Sequence, residues 1–138
     1  MKNSVGGVQL PRKIFNRIVE ECRKSLPFES CGFLSSNKKG EICSSWNLPN
    51  ESKLKGQFYV SQHSVKEVLQ KIEGKKEKVT ILYHSHPTAP PIPSRVDVKH
   101  HPDETVSMLI LSFMDDRLEF KCYQIIGNYY KEIPVQLI

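Results

Sequence analysis

Hydrophobic and polar positions alternate along this chain in segments of two different periods. Ile14, Ile18, Cys22 and Leu26 recur at helical spacing, with Val19 widening the stripe and Arg12, Lys13, Arg17, Glu20, Glu21, Arg23 and Lys24 on the opposite face. Pro11 suits the opening of that helix and Pro27 its end. A second helix is predicted from Ser61 or Ser64 to Gly74, with Val65, Val68, Leu69 and Ile72 on its buried face. Between and beyond the helices the runs are short and rich in β-branched residues. Val8 to Leu10, Cys31 to Ser36, Glu41 to Trp46, Phe58 to Val60 and Val79 to Tyr83 read as strands. Asn37-Lys38-Lys39-Gly40 joins two of them as a hairpin, whereas Asn47 to Gly56 shows no period and reads as a loop. Val106 to Met114, Leu118 to Ile126 and Tyr129 to Val135 follow, linked by Asp115-Asp116 and Gly127-Asn128, and predict an antiparallel meander. A short third helix is expected near Asp97, stopped by Pro102. Strands interleaved with helices imply a mixed sheet covered by helices, an α/β architecture.

Composition narrows the picture modestly. The 138 residues suit one domain spanning 1–138, with a core large enough to need no staple. The formal charge of +5 is scattered; Lys75, Lys76 and Lys78 cluster near a turn and read as a solvated surface. No arginine-rich or aromatic-interleaved stripe points to nucleic acid. Four cysteines, Cys22, Cys31, Cys43 and Cys122, form no Cys-x-x-Cys pair and read as reduced thiols. Met1 to Gly7 lacks the apolar core of a signal peptide, and no run approaches a membrane span, so a soluble cytoplasmic protein is expected.

The chemistry gathers behind one strand. Tyr83-His84-Ser85-His86-Pro87 leads into Thr88-Ala89-Pro90-Pro91-Ile92-Pro93-Ser94-Arg95-Val96-Asp97. Side chains at i and i+2 of a strand share a face, so His84 and His86 present two imidazoles together, with Ser85 turned away. Asp97, eleven residues after His86, offers a carboxylate. Two nitrogens and one oxygen make the ligand set of a catalytic zinc site, its fourth position left to water. Each residue also has a plainer reading. Asp97 and Ser94 fit a Ser-x-x-Asp helix cap, Glu29 fits a surface carboxylate after a helix, and His63, His100 and His101 fit surface positions.

Together, His-Ser-His-Pro and Pro-Ser-x-x-Asp resemble the JAMM (MPN-plus) metallopeptidase motif. Glu29 in Pro27-Phe28-Glu29-Ser30-Cys31-Gly32-Phe33-Leu34 is similar to the Glu-x-Cys-Gly-Leu-Leu segment of its small prokaryotic members. The resemblance covers about Leu10 to the C-terminus. It implies a three-layer α/β/α, cytidine-deaminase-like fold, one Zn2+ held by His84, His86 and Asp97, Glu29 as general base, and Ser94 as oxyanion stabiliser. It further implies a peptide or isopeptide hydrolase acting at the C-terminal glycine of a ubiquitin-like sulfur-carrier protein, for example releasing cysteine. A general deconjugating isopeptidase, a cysteine hydrolase using Cys31 with His84 or His86, and an inert MPN interaction module are the alternatives. A zinc deaminase would want His-x-Glu and Pro-Cys-x-x-Cys, and neither occurs. An extended substrate tail adding as a strand at the sheet edge is expected to use Phe58 to Val60, covered by Asn47 to Gly56.

Overall fold

A computed structural model describes residues 7–138; the N-terminal residues on which the reading of no signal peptide rests lie, up to Gly6, outside that range. The chain runs β1 (Val8–Leu10), α1 (Arg12–Ser25), β2 (Cys31–Ser36), β3 (Ile42–Leu48), α2 (Gln62–Gly74), β4 (Lys78–His86), α3 (Arg95–Lys99), β5 (Ser107–Ser112), β6 (Glu119–Ile126), β7 (Tyr129–Ile133) and β8 (Val135–Leu137). Six strands form one mixed sheet in the order β3-β2-β4-β5-β6-β7. The pair β2–β4 is antiparallel, β4–β5 parallel, and β5–β6–β7 an antiparallel meander.

Alternation along β4 builds both faces of the core. Ile81 and Tyr83 join Leu34, Leu109 and Leu111 on one face, under Phe15, Ile18 and Cys22 of α1. On the opposite face Leu82 meets Phe33, Leu48 and Ile72 of α2, with Val65 and Val68 packed against them. Further along that second face, Met108, Ile110, Tyr123 and Ile125 form a satellite cluster against Val98 of α3. Helices on both sides of the sheet make the three layers that were expected. The helix stripes differ in detail: Phe15 is buried in α1, while Leu26 and Leu69 stay about 40 % exposed.

Two strand expectations are corrected. Phe58 to Val60 is not a strand. Its backbone is taken up inside its own loop, where Glu51 N–H donates to the Tyr59 carbonyl (2.7 Å) and Tyr59 N–H donates to Asn50 Oδ1 (3.1 Å). The sheet edge on that side is β3, which includes Asn47 and Leu48. The run Tyr129 to Val135 is also broken. Pro134 has no N–H to give a ladder; its carbonyl accepts from Val8 N–H (2.9 Å), and the chain beyond pairs in parallel with β1 as a separate two-stranded sheet. Among the described residues no helix is long and apolar enough to cross a membrane.

Candidate metal centre

Because β2 and β4 run antiparallel, the start of β2 lies beside the end of β4, and Cys31 faces His84 in register. Two positions beyond that pair are Glu29, before β2, and His86, at the end of β4. The loop leaving His86 returns through α3, which brings Asp97 back over the strand end.

There three atoms converge. His84 Nε2 and His86 Nε2 are 3.1 Å apart, and Asp97 Oδ2 lies 3.1 Å from the first and 3.2 Å from the second. Tetrahedral zinc with bonds of about 2.0 Å requires ligand atoms separated by roughly 3.3 Å. The observed triangle fits that requirement, and its N, N, O donor set is one that zinc takes. Among the described residues this is the one His/Cys/Asp/Glu group so disposed.

The surrounding chain hydrogen-bonds His86 and Asp97 and holds His84 by packing, its Nδ1 having no hydrogen-bond partner among the described residues. His86 Nδ1–H donates to the Pro90 carbonyl (2.8 Å), which assigns the proton to Nδ1 and leaves the Nε2 lone pair facing the site. The neighbouring carbonyls of Ala89 and Pro91 accept from Ser112 Oγ (2.6 Å) and Tyr123 OH (2.5 Å). Three consecutive carbonyls of the proline loop are thus pinned by side chains of β4, β5 and β6. His84 is fully buried, its ring 5.0 Å from that of Phe58. Ser94 and Asp97 form a reciprocal cap on α3: Asp97 N–H donates to Ser94 Oγ (3.0 Å), and Ser94 N–H donates to Asp97 Oδ2 (2.9 Å). The plainer reading of the pair as a cap is therefore correct, and it is compatible with the other. Asp97 Oδ2 serves the cap and the triangle together, and Ser94 Oγ accepts in the cap while its own hydrogen is not spent there.

Electrostatics follow from burial and these contacts. Burial alone would push the Asp97 carboxyl up, but its contacts with the His84 and His86 rings, the charge of His84 and the Ser94 amide hold it well below the usual range. Burial lowers His84, outweighing its contacts with Asp97. For His86 burial also acts downward, yet Asp97, the Pro90 carbonyl and Glu29 carry it above the ordinary value. Glu29 is not a surface carboxylate: it is 4 % exposed, and Oε1 has no hydrogen-bond partner among the described residues. Burial pushes it up to about 7, opposed by His86 and reinforced by Asp97. A buried carboxyl with an unmet oxygen, within electrostatic reach of the triangle, fits an added water or ion there.

The remaining candidates add no donor to the triangle. Burial pushes the Cys31 thiol up to about 12, with Glu29 and Cys22 adding to it, which opposes a thiolate nucleophile. Cys22, Cys31 and Cys122 are buried and all four cysteines are free. His63 and His100 are exposed, and His101 Nε2 is committed to the Val106 carbonyl (2.6 Å). Sequence reasoning missed Asn50, whose Nδ2 donates to the Glu29 carbonyl (2.8 Å), and Phe58 against His84. Neither has a periodic signal.

Known proteins give a consistent picture. The family described as prokaryotic homologs of the JAB domain matches residues 11–124. CysO-cysteine peptidases of Mycobacterium tuberculosis and Mycobacterium bovis are 25 % identical over 140 residues, covering 99 % of this chain and 95 % of theirs. Among solved structures, a Desulfitobacterium hafniense protein superposes with a TM-score of 0.84 at 22 % identity, covering 95 % of this chain and 92 % of its own. A JAB1/MPN domain protein from Archaeoglobus fulgidus gives 0.60 at 22 % identity, covering 93 % and 98 %.

Proposed function

The chain belongs to the family of prokaryotic JAB-domain homologues, and from that premise we propose that it is a zinc-dependent peptidase. It would cleave the amide bond at the C-terminal glycine of a ubiquitin-like sulfur-carrier protein and release an amine such as cysteine. The carrying observation is the convergence of His84 Nε2, His86 Nε2 and Asp97 Oδ2 beside a buried, unpartnered Glu29 carboxyl. The substrate class rests on the similarity to the mycobacterial CysO-cysteine peptidases.

His84, His86 and Asp97 would hold the ion. When bound, zinc makes water more acidic and polarises a carbonyl oxygen. Glu29 takes a proton from the attacking water at its carboxylate and passes it to the leaving nitrogen, so that water and amide become acid and amine. Its elevated affinity for a proton suits both halves of that transfer. Ser94 Oγ–H donates to the carbonyl oxygen as negative charge develops, a contribution typically worth about 3 kcal/mol. The pinned proline loop keeps His86 and Asp97 from drifting apart between turnovers, so little ordering remains to be done on binding.

Metal content of the purified protein beside His86→Ala, with cysteine release from a carrier–cysteine adduct measured on the same samples, tests this reading. One zinc per chain, lost in His86→Ala together with cysteine release, is expected. Zinc with no cleavage of that adduct, but cleavage of a carrier joined to lysine, would reassign the substrate to a conjugate. No metal and no cleavage would leave a non-catalytic domain.

A further inference from the structure

The peptide unit between Glu29 and Ser30 is gripped from both sides. Its carbonyl, on Glu29, accepts from Asn50 Nδ2 at 2.8 Å; its N–H, on Ser30, donates to Ser85 Oγ at 2.8 Å. Ser85 N–H in turn donates to the Ser30 carbonyl at 2.9 Å. In a regular antiparallel pair the Ser30 amide would seek the Ser85 carbonyl. Here a side-chain oxygen stands in for that carbonyl. The ladder ends at this point, and the chain before Ser30 is free to leave the strand direction. Ser85 lies between the two histidines, fully buried on the α1 face. Asn50 lies at the start of the loop carrying Phe58 to Val60, and its Oδ1 accepts from Ser52 N–H (2.9 Å) and Tyr59 N–H (3.1 Å). One amide side chain therefore binds the loop with its oxygen, and with its nitrogen it holds the backbone of Glu29 and, at a longer 3.4 Å, the Gln57 carbonyl of the loop. The same loop sets Phe58 on His84.

We infer that Asn50 and Ser85 are positioning residues that set the Glu29 carboxylate against the metal centre, Asn50 coupling that placement to the 50–59 loop. The inference rests on Glu29 as the base. Asn50→Asp keeps the two shorter loop contacts, since the carboxylate still accepts from Ser52 and Tyr59, and removes the donor to Glu29 together with the longer contact to the Gln57 carbonyl. A misplacement of about 1 Å costs on the order of 100-fold in rate. Asn50→Asp is therefore expected to lower kcat by roughly 10- to 100-fold, with KM, zinc content and thermal midpoint near wild type. Combined with Glu29→Gln it should cost nothing further, because both act through one group. Without any substrate, amide hydrogen exchange should show Ser30 losing protection in Ser85→Ala and in Asn50→Asp, while Tyr59 stays protected in the latter.

Unchanged kcat in Asn50→Asp together with unchanged Ser30 exchange would overturn the inference. An additive loss in the double variant would reduce Asn50 to a structural residue. Retained turnover in Glu29→Gln alone would instead refute the base assignment, and the exchange data would still decide whether the grip on the peptide exists.

Discussion

Gly32 offers a demanding test of how the sheet holds the site. It lies in β2 opposite Tyr83 of β4 and Asn47 of β3. A Cβ added there would fall on the Trp46 carbonyl oxygen and within 2.5 Å of two Tyr83 ring carbons, where ordinary contact is 3.4–4 Å. Roughly 1 Å must therefore open on a strand paired along both edges. Neither neighbour gives easily. The carbonyl is backbone, and Tyr83 is held by its hydroxyl, which accepts from Asn47 Nδ2 (3.3 Å) and donates to Glu21 Oε1 (3.1 Å). Overpacking of a buried site costs about 1–3 kcal/mol, and the rigidity of both partners places Gly32→Ala near ~3 kcal/mol. For a chain of this size that corresponds to a drop of roughly 9–15 °C in thermal midpoint. Circular dichroism melting of the metal-free protein measures it, and zinc titration follows the consequence for His84, the residue after Tyr83. A midpoint within about 2 °C of wild type would show that β2 and β4 are not tightly registered, and would refute the reasoning.

Other outcomes follow from the centre itself. Asp97→Asn keeps an acceptor for the α3 cap but removes the charge; zinc affinity should fall by more than the roughly 100-fold typical of losing a supporting hydrogen bond, read by competition with a chromophoric chelator. In chelator, Asp97's depressed carboxyl contributes stability that is present above about pH 4 and is lost as pH falls through its folded value; melting against pH should show that acid limb in wild type and not in Asp97→Asn. Zinc at about 1,000 times its dissociation constant should add about 4 kcal/mol to wild-type stability and nothing to His86→Ala, as measured by melting at fixed metal concentration. Cys31→Ala should keep kcat within about threefold, since burial holds this thiol protonated; loss of activity with zinc retained would revive the thiol nucleophile.

What the sequence disclosed and what it withheld divide along local and non-local physics. The pair His84 and His86 on one face of a strand is a consequence of period two, and the Ser94–Asp97 cap is a consequence of four successive residues. Both were legible. The hairpin at Asn37 and the end of α2 at Gly74 are likewise local. Phe58 to Val60 has the side chains of a strand, yet whether a segment pairs depends on who takes its backbone, and Asn50 and Glu51 took it from nine and eight residues away. The burial of Glu29 is non-local too: it requires Asn50, Ser85 and the end of β4, none of which its own neighbourhood announces. Phe15 shows the same limit on a helix. It lies beside Ile14 in the stripe, and only the position of the sheet decides which of the two goes under.

The strand order explains why these residues can share a site. At β4 the sheet changes sense, antiparallel toward β2 and parallel toward β5. An antiparallel neighbour delivers its beginning to the end of β4, and a parallel neighbour demands a crossover that departs from that same end. Glu29 arrives by the first route and Asp97 by the second, so the crevice at the change of sense collects contributions from three separated stretches. Neither arrangement alone would do so. With β2 parallel, Glu29 would lie at the far end of the sheet; with β5 reached by a tight hairpin, there would be no room for the loop that returns Asp97. The two routes also fail differently. Slipping β2 by one residue against β4 turns its side chains to the opposite faces and shifts the point from which Glu29 departs, whereas altering the loop changes only how firmly Asp97 returns. Sensitivity to mutation should accordingly concentrate on the residues that fix register, Gly32 and Ser85, more than on Pro91 or Pro93 of the loop between the ligands.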